Sequence, residues 1–121
     1  MFLTLNHQKL QVYTASSSFV LECYKLTKIL PADEKFAMTS QIRRAALSVH
    51  LNIAEGASRK SGAERKRFYE IARGSMIEID AALDIALELQ YLQSYNTTAL
   101  ELSMVQCFKL LTGLINSEIT H

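Results

Sequence analysis

The chain has 121 residues, 49% hydrophobic and 21% charged. That is enough for one self-sufficient core, and far from the composition of a disordered chain. One Pro and four Gly are too few for a many-turned β sandwich. The net charge of +1 hides a strong asymmetry. Residues 1–42 carry +1. Residues 43–73 carry Arg43, Arg44, Arg59, Lys60, Arg65, Lys66, Arg67 and Arg73 against Glu55, Glu64 and Glu70, giving +5. Residues 74–121 carry Lys109 against Glu78, Asp80, Asp84, Glu88, Glu101 and Glu118, giving −5. Such a dipolar chain suits an anionic partner, or mutual attraction between identical subunits.

The spacing predicts four helices, at about 7–30, 40–57, 62–92 and 98–119, in one domain spanning 1–121. In the first, Val12, Ser16, Phe19, Cys23, Leu26 and Leu30 form a seam, widened by Val20 and Thr27. Pro31 stops it. Thr39 or Ser40 is the expected N-cap of the second helix. Its core face is Ile42, Ala45, Ala46, Val49, Ile53 and Gly56. Leu47, Leu51 and Ala54 make a separate stripe about 140° away.

Ser61 and Glu64 form a capping box for the third helix. Phe68, Ile71, Ala72, Ser75, Met76, Ile79, Ala82, Leu83 and Ala86 are its expected core face, with Tyr69 at the core edge. Gly74, Ile77, Ala81 and Ile85 form a second small or apolar stripe. Thr98 and Glu101 read as another capping box. The fourth helix should bury Leu100, Met104, Cys107, Phe108, Leu111, Leu114 and Ile115. Short links between long helices imply antiparallel neighbours, hence an all-α, up-and-down four-helix bundle. The outer stripes Leu47, Leu51, Gly74, Ile77, Ala81 and Ile85 point to an oligomer interface, since a monomeric bundle needs one apolar face per helix. Isolated surface Leu and Ile are the plainer alternative.

The run Thr39-Ser40-Gln41-Ile42-Arg43-Arg44-Ala45-Ala46, then Asn52-Ile53-Ala54-Glu55-Gly56, Arg59, and Gly74-Ser75 with Glu78 resembles a known family. These are the small bacterial four-helix-bundle proteins encoded in intervening sequences of large-subunit ribosomal RNA genes. The accessory proteins of diversity-generating retroelements look like relatives. A weaker resemblance runs from Val12 to Leu92. It implies a homopentameric barrel with no enzymatic activity and, in the retroelement branch, binding to nucleic acid and to a reverse transcriptase. His50 stands where that family usually has proline, so the second helix here should be straighter.

Arg43, Arg44, Arg59, Lys60, Arg65, Lys66, Arg67 and Arg73 are the candidate nucleic-acid surface, because phosphates need several cations on one face. The start of the third helix adds backbone N–H groups that favour anions. A solvated, charge-mixed helix surface is the alternative. Glu55 and Glu78 are expected to pair with Arg43, Arg44 or Arg59. A di-metal carboxylate bundle needs inward Glu-x-x-His pairs, and that spacing occurs only at Glu118 and His121, so no metal and no cofactor are expected. Cys23 and Cys107 read as buried, reduced and inert thiols. Ser48 and Ser75 have no histidine in predictable reach, and His50 is expected to cap or face solvent. Gly56 to Gly62 lacks the strand and spacing of a phosphate loop. With no signal peptide and no run of roughly 18 apolar residues, a soluble cytoplasmic protein away from membranes is expected. The sequence thus points to a non-catalytic oligomeric scaffold engaging RNA or DNA, or to a self-assembling protein-interaction module.

Overall fold

A computed structural model of the chain describes residues 2–5 and 10–118. It contains α1 (Gln11–Thr27), a short 3₁₀ turn (Ala32–Glu34), α2 (Met38–Ala57), α3 (Gly62–Glu88) and α4 (Thr98–Ser117). No strand occurs among the described residues. Each helix packs on its neighbour in the chain, and α1 packs on α4. One core results, with Phe19, Leu26, Ile42, Ile53, Met76, Ile79, Leu111 and Ile115 at its centre. Burying each such large side chain is worth roughly 1.5–3 kcal/mol.

The helix ends differ from expectation for local reasons. The α conformation of α1 stops at Thr27 rather than Leu30, because the residue before Pro31 is pushed out of the α region. The chain tightens into i→i+3 bonds, Ile29 N–H to Leu26 at 3.0 Å and Leu30 N–H to Thr27 at 3.3 Å. The expected start near residue 7 and end near 119 both lie outside the described residues. Thr39 and Ser40 are inside α2 and cap nothing. Its N-cap is Ala37, which has no side-chain bond. Glu34 reaches forward instead, accepting from the Met38 N–H at 3.4 Å. The same carboxylate accepts from the Tyr91 hydroxyl at 2.8 Å, tying the α2 entrance to the α3–α4 link.

Ser61 does cap α3, accepting from the Glu64 N–H at 3.1 Å. The far end of α3 is at Glu88, not Leu92. The N–H groups of Gln90 and Tyr91 bond back to Leu87 and Ala86, both at 3.0 Å, with Gln90 at φ 64°. This is a Schellman ending that carries glutamine where glycine is usual. The Thr98–Glu101 capping box does not form. Thr97 is the N-cap and donates to Glu101 Oε2 at 2.8 Å, while Asn96 accepts from the Thr98 N–H at 3.0 Å.

The six residues expected to form the α2 core face are all buried, as is the α1 seam. On α3, Tyr69 is buried and Ile71 is 42% exposed, because the core line runs through Tyr69, Ala72, Met76 and Ile79 and leaves Ile71 about a quarter-turn off it. On α4 the expected burial of Phe108 fails: the ring is 37% exposed, at the α3–α4 seam beside the core line of Leu100, Cys107, Leu111 and Ile115. A further correction concerns hydropathy. Counting consecutive apolar residues misses that α4, with a mean hydropathy of 1.3, is long and apolar enough to cross a membrane by length and composition.

Candidate functional site

The eight cations of residues 43–73 do not form one surface. Arg43 lies against α1, where its Nε donates to Thr27 Oγ1 at 2.8 Å and its guanidinium sits 4.9 Å from the Tyr24 ring centre. Arg59 pairs with Glu55 one turn back and stacks 4.8 Å from the Phe68 ring centre. Its buried Nε has no partner among the described residues. Arg65 bonds Glu118 through Nε at 3.1 Å and through Nη2 at 3.1 Å. Its Nη1 donates to the carbonyls of Arg59 (3.2 Å) and Lys60 (2.8 Å). The Glu118 bonds hold the Arg65 guanidinium even more firmly in its charged form. Arg73 reaches Thr112 of α4 at 3.5 Å.

Four of the candidates are therefore struts between elements. Arg44, Lys60 and Arg67 are exposed, and Lys66 is half-buried. Arg44 stands apart from the rest: thirteen residues separate it from the end of α2 at Ala57, about 20 Å along the axis. What remains near the α2–α3 turn is Lys60, Lys66 and Arg67, with the outer edge of Arg59.

The start of α3, expected to attract an anion, already faces one from the chain itself. A Cβ built on Gly62 would lie 2.8 Å from Glu118 Oε2, so the carboxylate of the last α4 turn sits against this helix N-terminus. Sequence reasoning missed Glu118 in that role. Its partner Arg65 is 53 positions away, and no local pattern links them.

Of the two expected structural carboxylates, Glu55 finds Arg59 as anticipated. Glu78 instead accepts from Gln41 Nε2 at 3.4 Å, because its place on the α2 side of α3 brings it beside Gln41 rather than an arginine. His50 neither caps nor faces open solvent. It flanks α1, with Nδ1 2.7 Å from the Ser16 hydroxyl and its ring 4.3 Å from that of Tyr13. Ser48 and Ser75 bond to each other across α2 and α3 at 3.0 Å. Burial pushes the Cys107 thiol up to about 12. Burial, then Glu22 and Cys107, does the same for Cys23. Both stay protonated near neutrality. Among the described residues, no three His, Cys, Asp or Glu gather where they could share a metal ion; His121 lies outside the described residues.

The outer stripes face outward as the periodicity suggested. Leu47, Leu51, Ile77, Ala81 and Ile85 are exposed, and Gly74 has open space where a Cβ would be. The sequence reading missed a third apolar surface. On α4, Leu102 is 68% exposed, and Val105 and Phe108 turn outward beside Ile77 of α3. Between the two helices is a groove of about 340 Å³, lined by Met76, Ile77, Asp80, Met104, Val105, Phe108 and Lys109.

Against known proteins, the family model for the 23S rRNA-intervening sequence protein matches residues 8–113. No curated protein matches the sequence.

Proposed function

The chain belongs to the 23S rRNA-intervening sequence protein family, and we propose that it acts as a non-catalytic, self-assembling scaffold that binds RNA or DNA. In this reading the protomer is an up-and-down antiparallel bundle, and the nucleic acid meets the α2–α3 turn. The observation that carries it is the division of labour among the cations. Arg43, Arg59, Arg65 and Arg73 hold helices together, whereas Lys60 and Arg67 are left exposed around the turn, with Lys66 half-buried beside them.

Three phosphate contacts per protomer make a weak site. For a duplex, three contacts would cost roughly 40-fold in affinity between about 50 and 200 mM salt. Repetition of the turn in an assembly supplies the missing affinity through avidity, which is why the two halves of the proposal belong together. The family's description names the first probe, a 23S rRNA intervening sequence. Wild type should retain that RNA or duplex DNA at about 50 mM salt and release it steeply as salt rises. Lys60→Glu with Arg67→Glu should abolish retention while helicity and assembly stay intact. Failure of wild type to retain either nucleic acid at about 50 mM salt overturns the binding role. The second reading, a self-assembling protein-interaction module, then stands, favoured by the exposed Ile77, Val105 and Phe108.

A further inference from the structure

The α3–α4 groove is apolar on its floor and acidic along its length. Ile77, Val105 and Phe108 form the apolar part, with Met76 and Met104 beneath. Asp80 lines it, and Asp84 and Glu88 follow at steps of four residues on the same side of α3. Glu101 precedes Val105 by four on α4. These carboxylates oppose anionic lipid headgroups and nucleic acid alike. Its volume of about 340 Å³ is at the low end of ligand-sized pockets, roughly 300–1,000 Å³. That suits a pair of protruding side chains better than a bulky ligand. The fitting occupant is an apolar helix face with a cation beside it.

The chain itself carries such a face. On α2, Arg44, Leu47 and Leu51 recur at i, i+3 and i+7, all exposed, with Leu51 at 60%. The one carboxylate on this helix, Glu55, is already taken by Arg59. Arg44, too far from the α2–α3 turn to join its cations, here has a use.

We propose that the α3–α4 groove receives the Leu47–Leu51 face of α2 from a second copy of this chain, with Arg44 of that copy set against Asp80 and Asp84. The proposal rests on the self-assembly reading above and specifies its contact. Knob and groove lie on different helices of one protomer, so the contact is heterologous. Each added copy leaves one knob and one groove open until the series closes on itself.

Two single substitutions at exposed positions test this. Leu51→Glu spoils the knob and leaves the groove; Ile77→Glu spoils the groove and leaves the knob. Sedimentation velocity at micromolar concentration should show wild type larger than a dimer and each variant alone monomeric, with unchanged helicity. An equimolar mixture of the two should form a dimer holding one of each and nothing larger, because a single intact knob–groove pair remains. Arg44→Glu should weaken association at least about tenfold, the equivalent of 1.4 kcal/mol. Asp80→Arg in the mixed partner should recover it. If wild type assembles but either variant alone assembles as well as wild type, or the mixture stays monomeric, this contact is wrong and self-assembly survives by another surface. If wild type is itself a monomer, the self-assembly reading falls and takes this contact with it.

Discussion

Helices α2 and α4 are the same length, 20 residues each, and use their apolar residues in opposite ways. The α2 helix carries three charged residues and buries six positions along one line, Ile42, Ala45, Ala46, Val49, Ile53 and Gly56. The α4 helix carries two charged residues and buries four, Leu100, Cys107, Leu111 and Ile115. Its Leu102, Val105 and Phe108 remain outside. Apolar content measures how much a helix could bury; the neighbours decide how much it does. Small residues on both sides, Ala45, Ala46 and Gly56 facing Ala72 and Ser75, let α2 and α3 come close. Against α4, the bulky Met76, Met104 and Phe108 hold the helices apart and leave a groove.

The comparison breaks most clearly at matched core substitutions. Ile53→Ala removes a fully buried side chain and should cost about 2–5 kcal/mol in urea unfolding. Phe108→Ala, at a half-open position, should cost about 1 kcal/mol when measured in the Leu51→Glu background, where assembly does not contribute. Equal costs would mean that α4 is packed as tightly as α2. The sequence alone would put Phe108 with the core, because α4 is apolar on several sides and a 3.6-residue period then selects no unique face. On α2, with polar residues on every other side, the same period picks all six buried positions.

A sharper form of the comparison uses glycines. A Cβ on Gly56 would lie 2.8 Å from Tyr69 Cε1 and 3.0 Å from Phe68 Cβ. Gly56→Ala should therefore destabilise by about 1–3 kcal/mol, despite the roughly 1 kcal/mol that alanine gains over glycine in a helix interior. Gly113 of α4 has nothing within 4 Å of a built Cβ. Gly113→Ala should instead stabilise by up to about 1 kcal/mol. A loss at Gly113 would show that something packs on that side of α4.

How much of the candidate site was legible follows the same logic of range. The Ser61 cap, the Arg59–Glu55 pair and the outward stripes are local, within a few residues, and the sequence declared them. Arg43 to Thr27, Arg65 to Glu118, and His50 to Ser16 link separate helices, and no spacing rule reaches across them. Charge clustering in sequence therefore overstated the basic surface, because four of the eight cations turn out to join elements.

Thiol burial gives a smaller effect with a definite sign. Cys23 and Cys107 move from an ordinary value of 9.0 to about 12 on folding, and burial raises Tyr69 as well. A raised acid pKa means that the unfolded chain ionises first. Stability is then fully present below about pH 9 and falls progressively between about 9 and 12. Urea midpoints across that window should decline, and Cys107→Ala should flatten the slope although it lowers the midpoint at neutral pH. A wild-type midpoint that is level from pH 9 to 12 would contradict the burial of both thiols.

The smallest expected effect lies in the link that delivers α4 to its place. Gln90 occupies the left-handed region at φ 64°, where a side chain costs roughly 1–2 kcal/mol relative to the right-handed form. The bonds around it, Gln90 to Leu87 and Tyr91 to Ala86, satisfy the last carbonyls of α3 and fix where Tyr91 meets Glu34. Glycine adopts this conformation freely but loses more backbone entropy on folding. Gln90→Gly should therefore gain somewhat less than the full strain, about 1 kcal/mol, or roughly 3–5 °C in Tm for a domain of this size. Gln90→Val, β-branched and poorly tolerated at positive φ, should move the other way. The opposite order would place the end of α3 beyond Gln90, near the Leu92 that the apolar period alone suggests. The α3–α4 link, and with it the groove, would then have to be redrawn.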